Sequence, residues 1–391
     1  MTSIALPTAD GGWSELELRD PVRWSRPAAP LRSRVAYAAV HVVPDRWSDT
    51  TPGAPAEIDW DTTMALRRGI WEYGLGVADA MDTAQRGMGL DWPAARELIR
   101  RSGIEARNVG GALACGAGTD QLSPAGLPTG RAGLQRIVDA YREQVDVIRD
   151  AGATVVLMAS RALAATARTP GDFADVYGTL LAEQDSPVIL HWLGPMFDPA
   201  LAGYWGSTDV DAATDAFLAV VVAHAEKIDG VKVSLLDADL ERSLRARLPH
   251  AVRLYTGDDF NYPELVVGDG GGHSDALLGA FAAIYPAASG ALQALDAGDA
   301  AAARAILEST RDLSRHLFAT PTMYYKTGIA FASWLDGRQP AFLMAGGLHG
   351  ARPMRHLITA FRLLDQAGLL SDPDRAAHRM RTLLATAGWE R

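Results

Sequence analysis

Short apolar runs and longer amphipathic stretches take turns along most of this chain. Val35 to Val43 is rich in β-formers and is closed by Pro44. A polar, proline-bearing insertion follows to Ala56, and Asp59 is placed to cap a helix through Tyr73. Gly76 to Met81 reads as the next strand, Asp91 with Pro93 opens a helix ending near Gly103, and Val109 to Leu113 reads as a third strand. Leu134, Ile137, Val138, Tyr141, Val145 and Ile148 share one helical face. The alternation continues with a strand at 154–158, a helix at 172–183, a strand at 187–192, a helix at 209–227 and a strand at 228–236. A helix at 239–248, a strand at 252–256 and an apolar run after His273 complete it. Eight near-continuous apolar strands separated by helices call for a parallel sheet covered on both faces. About 250 residues for eight such units is the size of a (β/α)8 barrel. The rival, a doubly wound open sheet, lacks a glycine-rich dinucleotide turn after the first strand.

The flanks read differently. Residues 1–32, with Pro21, Pro27 and Pro30 around Trp13 and Trp24, look like an arm without regular structure. The barrel is expected over 33–290, and 291–391 carries helical periodicity for helices packed on the barrel or on another subunit, in a dimer or tetramer.

Charge and composition narrow the function. A net charge of −10 with no lysine-rich block disfavours nucleic-acid backbones and anionic membranes, leaving a small molecule as the expected partner. The single Cys115 excludes an internal disulfide and a cysteine-rich metal site. The opening residues lack a secretory pattern, so a cytoplasmic location is expected. Ala276 to Leu295 is uncharged over about the span of a bilayer, but its glycines and Pro286 favour a buried strand, loop and helix start.

Among 37 Lys+Arg only Lys227, Lys232 and Lys326 are lysine. Lys232 stands in the apolar run Ile228-Asp229-Gly230-Val231-Lys232-Val233-Ser234, where alternation turns it away from both valines. An enclosed amine loses its charge readily, and a neutral amine attacks carbonyl carbon. The plainer alternative is a lysine paired with Asp229 or Asp237. In a barrel the residues closing each strand deserve the same scrutiny. These are His41, Asp82 with Thr83, Ser160 with Arg161, His191, Gly257-Asp258-Asp259, and His273 after Gly270-Gly271-Gly272.

Three of these stretches together resemble the dihydrodipicolinate synthase and N-acetylneuraminate lyase family: Gly230 to Ser234, Tyr255-Thr256-Gly257-Asp258-Asp259, and Gly271-Gly272-His273-Ser274. The resemblance covers about residues 33 to 335 and is specific in the second half of the barrel; the whole reads as a divergent, functionally unassigned branch. It implies a (β/α)8 barrel whose sixth-strand lysine, Lys232, forms a Schiff base with a keto acid, without cofactor or metal. Met81-Asp82-Thr83-Ala84-Gln85 departs from the family's threonine motif for the keto-acid carboxylate, and Asp82 would repel that group. Ala159-Ser160-Arg161 replaces the family's paired tyrosines, and His191 stands where the family has its proton-shuttling tyrosine.

The expectation is a lyase or aldolase for a keto acid or keto sugar. Lys232 is its nucleophile and His191 its proton shuttle. Asp82, Thr83, Ser160, Arg161, Gly257, Asp258, Asp259, His273 and His41 are expected around the substrate. Several have a structural alternative: a core histidine for His191, a pocket-floor histidine for His41, a structural one for His273, helix caps for Asp258 and Asp259, and a surface ion pair for Arg161. Two other functions stay open. His41, Asp82, His191 and Asp258 could hold a divalent metal in a sugar isomerase, or the barrel could bind a metabolite without catalysis.

Overall fold

Strand alternation decides what fills the middle of the molecule. In the computed structural model, which describes residues 2–389, eight parallel strands close into a barrel. They are β3 (Ala36–Ala39), β4 (Gly76–Asp79), β5 (Leu113–Ala117), β6 (Thr154–Leu157), β7 (Val188–Leu193), β8 (Ile228–Ser234), β9 (Arg253–Thr256) and β10 (Asp275–Leu278). Each pairs with the next, and β10 pairs with both β9 and β3. Tyr37, Ala78, Ala114, Val156, Ile189, Tyr255 and Leu277 form a separate apolar cluster inside the barrel. Val231, Val233, Leu190 and Leu254, one step out of phase, join the main core between strands and helices.

Local chemistry sets the helix ends. Asp59 caps the helix Trp60–Glu72 through Thr62 N–H at 3.0 Å, and Thr169 forms a capping box with Asp172 for the helix Pro170–Ala182. The helix expected to stop near Gly103 instead runs over Trp92–Val109. A Cβ at Gly103 would lie 2.5 Å from the Ala151 carbonyl oxygen, so this glycine permits close packing rather than ending the helix. The following strand accordingly begins at Leu113, where the sequence reading ended it. The uncharged stretch near residue 280 divides into β10 and the helix Phe281–Asp296; among the described residues no helix is long and apolar enough to cross a membrane.

The N-terminal arm is not irregular. β1 (Ser3–Pro7) and β2 (Trp13–Glu17) pair as an antiparallel hairpin that buries Ile4 and Leu6. Strands of five residues among prolines gave too short an alternation to recognise. The hairpin lies on the last helix, Pro373–Thr386: Arg381 donates to the Ser3 carbonyl, and Thr2 Oγ1 bonds to Asp374. Between Phe281 and Thr386 the chain is helical apart from its connections, and the helix Tyr325–Leu335 is buried along its whole length.

Candidate active site

Lys232 occupies the inward phase of β8, in register with His191 on β7 and Tyr255 on β9. Its side chain is buried, with 7% of the residue exposed. Neither carboxylate offered by the sequence neutralises it: Asp229 accepts from Tyr255 Oη at 2.6 Å, and Asp237 caps the helix Ala238–Arg247 through Leu240 N–H at 2.9 Å. Among the described residues no hydrogen bond or salt bridge engages its Nζ. Burial lowers the amine's pKa, while the fields of Asp82 and Asp259 oppose that shift.

Glycine makes the space above this amine. Two residues beyond the inward Tyr255 and Leu277, β9 and β10 continue into Gly257 and Gly279. A Cβ on Gly257 would sit 2.1 Å from Ser234 Oγ and 3.1 Å from Lys232 Cε. One on Gly279 would sit 3.0 Å from the Tyr325 ring and 3.4 Å from Thr83 Oγ1. Thr83 and Tyr325 share a hydrogen bond of 2.7 Å, with the tyrosine ring stacked on Phe318 at 4.3 Å. Burial, Asp82 and then Asp259 raise the Tyr325 phenol's pKa well above 10. Its neighbour Lys326 is also buried, donates to the Met323 carbonyl at 3.0 Å, and has a pKa lowered by burial to about 8. Both residues enter from the helical region 93 and 94 positions downstream of Lys232, with no strand-end signal to mark them.

The remaining expected residues fall into distinct groups. His191 Nε2 is 3.2 Å from Ser234 Oγ, and its Nδ1 is buried without a partner. Burial first, then Lys232, keeps its pKa well below 6.5, so the ring is neutral at physiological pH. Asp259 accepts the Ala280 N–H at 2.8 Å, and burial raises its pKa. Asp258, its neighbour, is a turn and helix-entry cap, accepting from Phe260 and Asn261 N–H at 2.9 and 3.0 Å. His41 follows β3 but bonds to Gln339 Oε1 at 2.8 Å, and burial lowers its pKa to about 4. His273 precedes β10 rather than following it and lines a shallow hollow with Gly268, Asp269 and Arg304. It therefore lies at the N-terminal end of the barrel, away from Lys232. These placements also scatter the proposed metal ligands: no group of three or more His, Cys, Asp or Glu able to hold an ion occurs among the described residues.

A cavity of about 170 Å³ opens at the C-terminal end of the barrel; Asp82 is on its wall, it reaches β7 at Leu193, two residues beyond His191 and in register with Ser234, and Lys232 does not line it. Ser160 and Arg161 line it, as do Thr119, Asp120, Asp198 and Arg86. Ser160 Oγ lies 2.5 Å from Thr119 Oγ1 and caps the helix Arg161–Thr166 through Leu163 N–H. Its own N–H donates to Tyr204 Oη at 3.0 Å, and Tyr204 Oη lies 2.9 Å from Tyr177 Oη. Arg161 pairs with Asp198 at 2.5 Å while remaining partly exposed. Arg86 pairs with Asp120 in the buried wall, a role that its surface-like sequence context did not announce.

The sequence matches, over residues 4–389, the family described as "Protein of unknown function (DUF993)", and the chain belongs to that family. No curated protein matches it. Among solved structures it resembles a monomeric dihydrodipicolinate synthase variant, with a TM-score of 0.63 and 14% identity over 88% of this chain and 100% of that one. The Aquifex aeolicus dihydrodipicolinate synthase gives 0.61 and 16% over 86% and 98%. YagE, a prophage protein of that family from E. coli K12 solved with pyruvate, gives 0.65 and 15% over 86% and 99%. The shared feature at these identities is the fold.

Proposed function

We propose that this DUF993 member is a lyase or aldolase that holds a small carbonyl substrate as a Schiff base on Lys232. The observation that carries the reading is the unpaired, buried amine at the C-terminal end of a barrel strand, enclosed by Asp82 and Asp259. The neutral amine attacks the carbonyl carbon, the carbinolamine loses its oxygen as water, and the iminium accepts the electron pair released by C–C cleavage or by loss of the α-proton, the enamine then expelling a β-hydroxyl as water in a dehydration. Asp82 favours that cation over the neutral ground state.

Two pairs on either side of the amine are suited to proton movement. His191 with Ser234 lies beside it on β7 and β8, and the neutral ring can accept a proton through Ser234. Tyr325 with Thr83 lies within the field of the same Asp82 and Asp259 that act on Lys232, and a phenol held protonated there can donate to the departing oxygen. Borohydride added with a panel of keto acids and keto sugars should fix substrate to Lys232, located by peptide mass mapping. If the protein turns over one of these compounds and Lys232 never gains mass, the Schiff-base reading is lost.

A further inference from the structure

The wall of the cavity that runs from Asp82 to Leu193, in register with Ser234 on the Lys232 strand, differs from a carboxylate-binding site in how its cations are occupied. Arg86 has five N–H donors, and all are engaged: Nε and Nη2 on Asp120, Nη1 on the Ala80 and Gly116 carbonyls at 3.1 Å, and Nη2 also on Gln144 Oε1 at 2.8 Å. Arg161 is at the rim, 45% exposed, with its charge offset by Asp198. Lys326 is turned to the Met323 carbonyl and to Met88 Sδ at 3.4 Å; neither it nor Lys232 lines the cavity. Among the described residues Asp82 is the lining charge with no hydrogen-bonded or ion-paired cation, and its field reaches both Lys232 and Lys326. A carboxylate attached to the carbonyl carbon would meet that charge at close range.

The rest of the wall suits hydroxyl groups. The Thr119 and Ser160 hydroxyls can each donate or accept, and the carboxylates of Asp82, Asp120 and Asp198 can accept from an alcohol without a charge clash. Gly87 and Gly118 leave room at the wall. A volume of about 170 Å³ is similar to the roughly 150 Å³ that accommodates benzene, and so suits a ligand portion of about six non-hydrogen atoms.

We infer that the carbonyl substrate is an uncharged polyhydroxylated compound, a ketose or hydroxy ketone whose carbonyl carbon bears a hydroxymethyl group or carbon chain rather than a carboxylate. This rests on the Schiff-base reading and selects within it. The test compares dihydroxyacetone and hydroxyacetone with pyruvate and 2-oxobutyrate as borohydride-trapping probes on the full-length protein at equal concentration. Each adduct forms by condensation of Lys232 with the carbonyl, loss of water, and reduction of the iminium by borohydride to a secondary amine.

The expected result is at least about tenfold more Lys232 adduct with the hydroxy ketones, consistent with like-charge repulsion of the acids. In Asp82→Asn the gap should narrow, chiefly by a gain for pyruvate. Equal or greater trapping of the 2-keto acids by the wild-type protein would overturn the substrate assignment while leaving the Schiff base intact. If none of the four compounds labels Lys232 in folded protein, the Schiff-base reading and the assignment built on it both fail.

Discussion

The two ends of the barrel interior are built from the same strands yet differ in how fully their polar groups are paired. At the N-terminal end, Asp275 accepts from Val35 N–H at 2.7 Å and pairs with Arg253 at 3.0 Å, and Tyr255 donates to Asp229. Tyr255 and Tyr37 pack edge to face, 6.2 Å apart, and help fill the lumen there. At the C-terminal end the strands run out into Gly257 and Gly279, and the lysine amine and a histidine nitrogen remain unbonded. The floor's polar groups are paired, whereas the top, among its bonded groups, also holds two nitrogens without a partner among the described residues.

The largest effect that would test this contrast is Lys232→Ala. Turnover and borohydride labelling should fall by about 10³-fold or more, while the melting temperature holds or rises because an unpaired buried amine is removed. Next, Gly257→Ala should sharply reduce trapping, since the new methyl collides with Ser234 and crowds the Lys232 stem; trapping rate and thermal melting read its two consequences. At the opposite end, Asp275→Ala should cost about 1–3 kcal/mol in denaturant melts through the lost bonds to Val35 and Arg253, with trapping per folded molecule unchanged.

The effect of pH is subtler. Because the Lys232 pKa is lowered, its labelling rate should rise with pH and level off below the ordinary lysine value of 10.5. For Lys326 the folded value of about 8 lies beneath an unfolded value near 10.5. Between these the unfolded chain binds more protons, so this group makes the folded state gain stability as pH rises. Any stability advantage of Lys326→Met over wild type should therefore shrink from pH 8 to 10.5, as paired melts would record. Asp258→Ala should have the smallest effect, about 1 kcal/mol from a lost cap, with trapping retained.

The sequence made Lys232 legible because an apolar strand with one cation is rare in a chain where nearly every other cation is arginine. The barrel was legible for a related reason, the repeated switching between strand and helix periods. Asp258 and Asp259 are identical neighbours that both accept backbone N–H groups, and only the turn decides that the field of Asp259 reaches the amine. His273 misled because a glycine-rich segment reads alike before or after a strand, whereas only one of those positions opens on the site. Tyr325 and Lys326 were out of reach as site residues because a helix places them there through tertiary packing. Gly103 showed the same gap on a smaller scale: its neighbour Ala151, rather than helix propensity, accounts for it.

The bond between Thr83 and Tyr325 also bears on timing. A chain emerging from the ribosome presents β3 to β10 well before residue 325, so the barrel wall can assemble while the amine is still uncovered. Its roof arrives with Tyr325, and the hairpin at Ser3 gains its cover only when the helix Pro373–Thr386 has been made. Two segments 378 residues apart in the sequence thus close on one another. A chain halted before residue 325 would carry Lys232 without the Thr83–Tyr325 pair.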